Sequence, residues 1–280
     1  MDLDFSFETD HQKASPRSVE SCETISRTKR RRDLFLASIG YHEFFSPEMW
    51  KAALTELVAT ACLIFTLTTS IISCLDSHES EPKLLVPFAV FIIAFLFLLV
   101  TVPLTGGHMS PVFTFIAALK GIITLTRAAA YVLAQCIGSI ISFVIIKSVM
   151  SHNAAERYSF GGCTIARQRH ANWTYQPGNC TYTGVYMHIC VAFDKRRCKE
   201  LGLAMVCAVV AGAMALAVFV SITVTGQAGY AGVGLNPARC LGPALLHGGP
   251  LWEAHWVFWV GPFIACTVYY GFTKSLPNET

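Results

Sequence analysis

Charge is what this sequence has least of. Asp, Glu, Lys and Arg make up 14% of its 280 residues, against a hydrophobic share of 53%, and the mean hydropathy is +0.49. A soluble domain carries about 25% charge, so the deficit makes lipid the solvent for much of the chain. The formal net charge of +3 is too small to serve a nucleic-acid partner. Eleven cysteines are present, but they are scattered through apolar segments without the spacing of a disulfide scaffold or a zinc site. The polar stretch after Met1 contains no apolar signal core, so no cleavable signal peptide is expected and the first membrane span should serve as the targeting signal. No nucleophile–base or metal-ligand spacing recurs, so neither an enzyme nor a cofactor is expected. These absences leave an integral membrane protein with lipid as its surroundings.

What is present is a series of long apolar runs. They cover Leu57–Leu75 between Glu56 and Asp76, Leu84 to Thr105, Ala128–Ile146, Leu201–Thr225 and Ala254–Thr273. Each is near the ~20 residues that a helix needs to cross ~30 Å of hydrocarbon. Two further apolar pieces, Pro111–Leu119 and Pro237–Leu246, are too short to span. Each begins with proline, follows a small polar residue (Ser110 or Asn236), and has glycines upstream. Proline at the first helical position behind a Ser or Asn cap is a helix-start signal. Short helices at membrane depth must be buried in protein or line a wet cavity, so the two pieces read as re-entrant half-helices beside a pore. Their equivalent placement, each after one long span and before another, is the pattern of an inverted-repeat membrane fold.

These residues resemble a known family. Asn236-Pro237-Ala238-Arg239 resembles the second Asn-Pro-Ala box of the aquaporins, the major intrinsic proteins, and Ser110-Pro111-Val112 looks like a degenerate first box. Glu56 with Thr60 resembles the family's first-helix Glu-x-x-x-Thr pattern. The Ser-Pro-Val box, together with Cys240 directly after Arg239, is similar to the plant X intrinsic protein subgroup. The resemblance implies an all-α membrane protein: six tilted helices plus two half-helices, one pore per monomer and four monomers per assembly. The expected organisation is a largely disordered cytosolic tail over 1–49, a channel domain over 50–274 with a long extracellular loop at 151–183, and a cytosolic tail at 275–280.

The chain departs from the family in one respect. Six full spans are required and five are visible. The missing one must fall on Thr181–Phe193, which as a helix reaches only about 20 Å behind the break at Pro177-Gly178. The family's matching buried carboxylate is absent as well, since no Asp or Glu lies between Arg157 and Asp194. The positive-inside rule places Lys29–Arg32, Lys120, Arg127 and the cluster Lys195–Lys199 in the cytosol, which requires residues 180–193 to cross. Both termini are then cytosolic, and the plasma membrane is the expected location.

The expected function is passive permeation. Two half-helix N-termini at the membrane centre would carry about +0.5 charge each, repelling cations while neutral molecules pass. Arg239 is the only Asp, Glu, Lys or Arg between Glu200 and Glu253, and an arginine at that depth is a functional candidate. By resemblance it belongs to the selectivity constriction, and counting along the family pattern adds Val233, Val90 and, most simply, Val224. A constriction of three valines and one arginine compensates poorly for stripping water. The implied permeants are therefore small uncharged solutes (glycerol, urea, boric acid, hydrogen peroxide), with poor water flow. The alternative is a non-conducting member that acts only within a hetero-oligomer with related channels, in place of a conducting homotetramer. Glu56 and His108 are expected to support the loop, and Cys240 is open to either packing or thiol reactivity. Cys163 and Cys180 share the expected extracellular loop and could pair. Asn172-Trp-Thr and Asn179-Cys-Thr are glycosylation sequons if that loop is outside.

Overall fold

The computed structural model describes residues 39–77, 82–151, 153, 157–163, 195–225, 234–253 and 255–275. Seven α-helices occur among them: α1 (Pro47–Asp76), α2 (Pro82–Thr105), α3 (Pro111–Leu119), α4 (Leu125–Val149), α5 (Lys195–Thr225), α6 (Pro237–His247) and α7 (Val257–Ser275). Short 3-10 turns stand at Tyr41–Phe45, Ser159–Gly161 and Gly249–Leu251. Four of the long helices are long and apolar enough to cross a membrane: Pro47–Asp76, Leu84–Thr105, Leu125–Val149 and Lys199–Ser221. The fifth expected run is α7, beginning at Val257 rather than Ala254. Residues 180–193, on which the sixth span was expected, lie outside the described residues.

α1 is longer than its apolar run. Its 30 residues reach about 45 Å, starting at Pro47 behind an extended Ser46. The additional turns are polar at the surface, where Lys51 pairs with Glu48 at 2.9 Å. Trp50 donates its indole N–H to the Phe44 carbonyl at 2.9 Å, tying the preceding 3-10 turn to the helix. That turn is also fastened to α4, because Arg127 donates to Glu43 at 2.7 Å. The boundary expected at residue 49 therefore falls inside packed structure.

Lipid-facing and buried surfaces divide along each helix. On α2, Leu96, Val100 and Leu104 are exposed, whereas Val86, Val90, Ala94, Leu98 and Thr101 are buried. A helix apolar on both faces belongs in a membrane. α1 packs along α4 and α2, and α2 along α5. Half-helix α3 packs against α7, while half-helix α6 packs against α4. Each half-helix thus touches the last long helix of the other half, and α3 packs as closely on α4 of its own half. α1 and α4 pack backbone against backbone, where a Cβ at Gly138 would meet the Leu57 carbonyl oxygen at 2.5 Å. Glycine there lets two backbones touch, the usual device where lipid gives helices no hydrophobic reason to associate.

Candidate functional site

The first half-helix starts where the sequence indicated. Ser110 is the N-cap of α3, its hydroxyl accepting from the Val112 N–H at 3.4 Å, with Pro111 in the first turn. The loop ahead of it turns through left-handed backbone at Gly107 (φ +65°) and Met109 (φ +45°). A side chain at 107 would be strained by that φ and would also meet Val102 Cγ2 at 2.6 Å.

This irregular loop needs hydrogen-bond partners within the protein, and Glu56 provides them. The fully buried carboxylate accepts through Oε1 from the Thr105 hydroxyl at 2.5 Å and the His108 N–H at 3.1 Å. Through Oε2 it accepts from the Met109 N–H at 2.7 Å and Gln135 Nε2 at 2.9 Å. Gln135 Nε2 also donates to Thr114 Oγ1 at 3.0 Å. Thr114 donates to the Ser110 carbonyl at 3.1 Å and lies 3.2 Å from His108 Nδ1. The His108 ring meets Tyr131 edge-on at 5.4 Å. Glu56 on α1, Gln135 on α4 and Thr114 on α3 thus hold one loop from three sides. A carboxylate buried this deeply persists only with such a set of donors.

The second half-helix repeats the start with a stronger cap. Asn236 Oδ1 accepts from the Ala238 N–H at 3.1 Å and the Arg239 N–H at 3.4 Å, with Pro237 first in α6. Its amide Nδ2 donates to the Met109 carbonyl at 2.7 Å. That bond joins the two boxes directly, so the N-terminal ends of α3 and α6 meet. Ser110 and Asn236 are therefore not equivalent. The hydroxyl of one has a single hydrogen, whereas the amide of the other has two and commits one of them to the opposite loop.

Arg239 lies in the first turn of α6 and is only 6% exposed. Its Nη2 donates to the Gly161 carbonyl at 2.6 Å, and its Nη1 lies 3.6 Å from Cys163 Sγ. Cys163 is disulfide-bonded to Cys240, with 5.1 Å between their Cα atoms. That bond decides two points that the sequence leaves open. Cys240 has no free thiol, and Cys163 is paired with Cys240 instead of Cys180. The physical reason is the fold's own proximity, because the segment that supplies the Gly161 carbonyl to Arg239 carries Cys163 two residues later.

The valines are placed in part. Val90 is buried on the inner face of α2 beside Ile71 and Val86. Val224 is in the last turn of α5, and its side chain lies outside the described residues, as do Val233, Asn172, Asn179 and Cys180. Thr114, Gln135 and Gly161 were not indicated by the sequence. A lone polar residue in an apolar helix signals that it has a partner without naming one. Among the described residues, no three His, Cys, Asp or Glu side chains are grouped as a metal site.

Known proteins resemble this chain in sequence and in fold. The Major intrinsic protein family model matches residues 43–269. Aquaporin TIP1-2 of Zea mays is 29% identical over 236 residues, covering 81% of this chain and 87% of its own. Probable aquaporin PIP2-8 of Oryza sativa subsp. japonica is 29% identical over 226 residues, 77% of each chain. The aquaglyceroporin from Plasmodium falciparum superposes with a TM-score of 0.60 at 17% identity, over 81% of this chain and 96% of its own, which shows the shared fold. With its paired half-helix boxes and a match over most of its length, the chain belongs to the major intrinsic protein family and is a membrane channel, not an enzyme.

Proposed function

We propose that this channel passes small uncharged solutes down their gradients, with glycerol, urea, boric acid and hydrogen peroxide as the class and water as a poor permeant. The observation that carries the reading is the junction itself. Two capped half-helices meet N-terminus to N-terminus through Asn236 and Met109, with buried Arg239 in the first turn of the second. The converging helix dipoles give the junction positive potential, and the guanidinium adds a full charge, so cations and protons are disfavoured. Arg239, Val90, Val224 and Val233 form the selectivity constriction in this reading. A mostly valine rim repays little of water's desolvation and suits a solute with its own apolar face.

The Ser110-Pro111-Val112 box and Cys240 after Arg239 support placement in the X intrinsic protein subgroup. The basic clusters support cytosolic termini. A plasma-membrane homotetramer, or a hetero-oligomer with related channels, is the proposed assembly.

Stopped-flow reswelling of yeast vesicles containing the chain, in glycerol and in sorbitol, tests the proposal. Glycerol-specific recovery that disappears with Arg239→Glu and Pro237→Leu is the expected result. Recovery in glycerol no faster than empty vesicles, with delivery verified, would refute glycerol conduction by this chain alone and favour the non-conducting subunit.

A further inference from the structure

We infer that the Cys163–Cys240 disulfide is a positioning element of the constriction: it clamps the strap 157–163 so that the Gly161 carbonyl stays on the Arg239 guanidinium. The inference rests on the reading of Arg239 as the constriction's charge.

The argument begins with connectivity. Arg239 and Cys240 are consecutive, and Gly161 and Cys163 are separated by one residue. The covalent bond and the Arg239–Gly161 hydrogen bond therefore join the same two short segments, side by side, across sequence separations of 77 and 78. Cys163 Sγ itself lies 3.6 Å from Arg239 Nη1, so the bridge is in contact with the charge it would position.

The strap has reason to need a clamp. Phe160 and Gly161 are consecutive left-handed residues, with φ of +52° and +62°. A phenylalanine rarely adopts that conformation unless its surroundings impose it. Upstream, the Tyr158 hydroxyl reaches the Leu75 carbonyl at 3.2 Å and Asp76 Oδ1 at 3.1 Å. Phe160 is buried with Ile64, Phe143 and Ile146, and its ring lies 5.0 Å from that of His247. These contacts fix the strap before the turn, and the disulfide fixes it after. The carbonyl that Arg239 uses lies between the two anchors. A Cβ at Gly161 would meet Thr68 Cγ2 at 2.9 Å, so the carbonyl-bearing residue sits directly on α1.

The bridge has a prepared site. Cys163, Cys240 and Phe258 form one buried apolar cluster. Glycine at 234 leaves room for it, since a Cβ there would stand 3.0 Å from Cys240 Sγ. A bond serving only to fasten the strap to α6 could sit anywhere along either. This one is beside the pore's buried cation.

Reduction follows ordinary exchange. A dithiothreitol thiolate attacks one sulfur, releasing the other cysteine as a thiolate and forming a mixed disulfide. The reagent's second thiolate closes its ring and releases the second cysteine. Two electrons and two protons pass to the protein, and cyclic oxidised reagent is left. With the clamp open, the Gly161 carbonyl drifts, Arg239 loses its fixed direction, and the size cut-off loosens.

The test uses the purified full chain in liposomes, before and after dithiothreitol, beside the Cys163→Ser/Cys240→Ser double variant. The readouts are the ratio of glycerol to erythritol permeability and the hydrogen–deuterium exchange of the 157–163 peptide. Peptide-resolved maleimide labelling scores the two cysteines. The expected result is labelling only after reduction, faster strap exchange, and a ratio falling about two- to tenfold, the rate equivalent of one hydrogen bond. The double variant should start at the low ratio and ignore the reagent. If both cysteines are freed while exchange and ratio stay put, the bridge is a staple alone and the inference is wrong. Labelling without reduction overturns it as well. Should the double variant fail to fold, reduction of the folded wild-type protein decides. Vesicles silent to every solute refute the proposed pathway, while strap exchange still judges the clamp.

Discussion

Replacing Glu56 with glutamine keeps the side chain's shape and removes its charge, which isolates what the carboxylate does. Both oxygens now accept two hydrogen bonds each, from Thr105 and His108 N–H on one side and from Met109 N–H and Gln135 on the other. Glutamine retains one acceptor oxygen and turns an NH2 toward one of these donor pairs. The less costly placement sets the NH2 against Thr105, whose hydroxyl can rotate to accept. The His108 N–H then faces a donor. One charge-assisted bond is lost, worth about 1.5–3 kcal/mol, and a buried N–H is left unpaired at about 1–3 kcal/mol more. The sum, about 2.5–6 kcal/mol, corresponds to a fall in Tm of roughly 5–24 °C for a protein this size. The assay is thermal unfolding of detergent-solubilised protein, followed by glycerol permeability of whatever inserts. Thr105→Val should cost much less, since it removes one donor and leaves the backbone amides held. If Glu56→Gln matches wild type in both Tm and permeability, the brace is not what holds the loop and the reasoning fails.

Other substitutions probe separate parts of the structure. Gly138→Ala places a methyl against the Leu57 carbonyl and should cost about 1–3 kcal/mol by overpacking, read as a lower Tm. Gly271→Ala, with nothing within 4 Å of the added carbon, should be neutral or slightly stabilising in the same assay. Ser110→Ala removes the cap on Val112 N–H and should cost about 1 kcal/mol. Ser110→Asn adds an amide at the midpoint, and glycerol flux should fall relative to water in vesicle assays. Arg127→Ala breaks a pair whose side chains are 30% and 18% exposed, so the loss should stay near 0.5–1 kcal/mol and shrink in high salt.

Much of this architecture was legible because membranes impose simple rules. Apolar runs of spanning length marked α1, α2, α4 and α5, and the Ser-Pro and Asn-Pro starts marked α3 and α6 to the residue. The start of α1 at Pro47 was not legible, because its first turns are polar and no apolar periodicity announces them. Glu56 stood out as a charge at the edge of a span, but Gln135 and Thr114 gave no clue to which helix they would meet. The disulfide was hidden for a different reason. Its partners are 77 residues apart, and Cys207, which forms no disulfide, is just as buried. Only the fold distinguishes a cysteine that touches another from one that merely packs.

The hydrogen bonds at the boxes also differ in how far along the chain they reach. Every bond to Glu56 closes within residues 56–135, whereas Asn236 finds the Met109 carbonyl across 127 residues. A ribosome making this chain has therefore delivered all the partners of the first loop before the second box exists. The amino-terminal half can set its own re-entrant turn and present one carbonyl outward as a socket. The carboxy-terminal half then arrives on a finished template, and the insertion of Asn236 becomes the latch that completes the channel's centre. On this order of assembly, a defect in the first half denies the second a place to dock. A defect at Asn236 leaves a first half that is sound but unlatched.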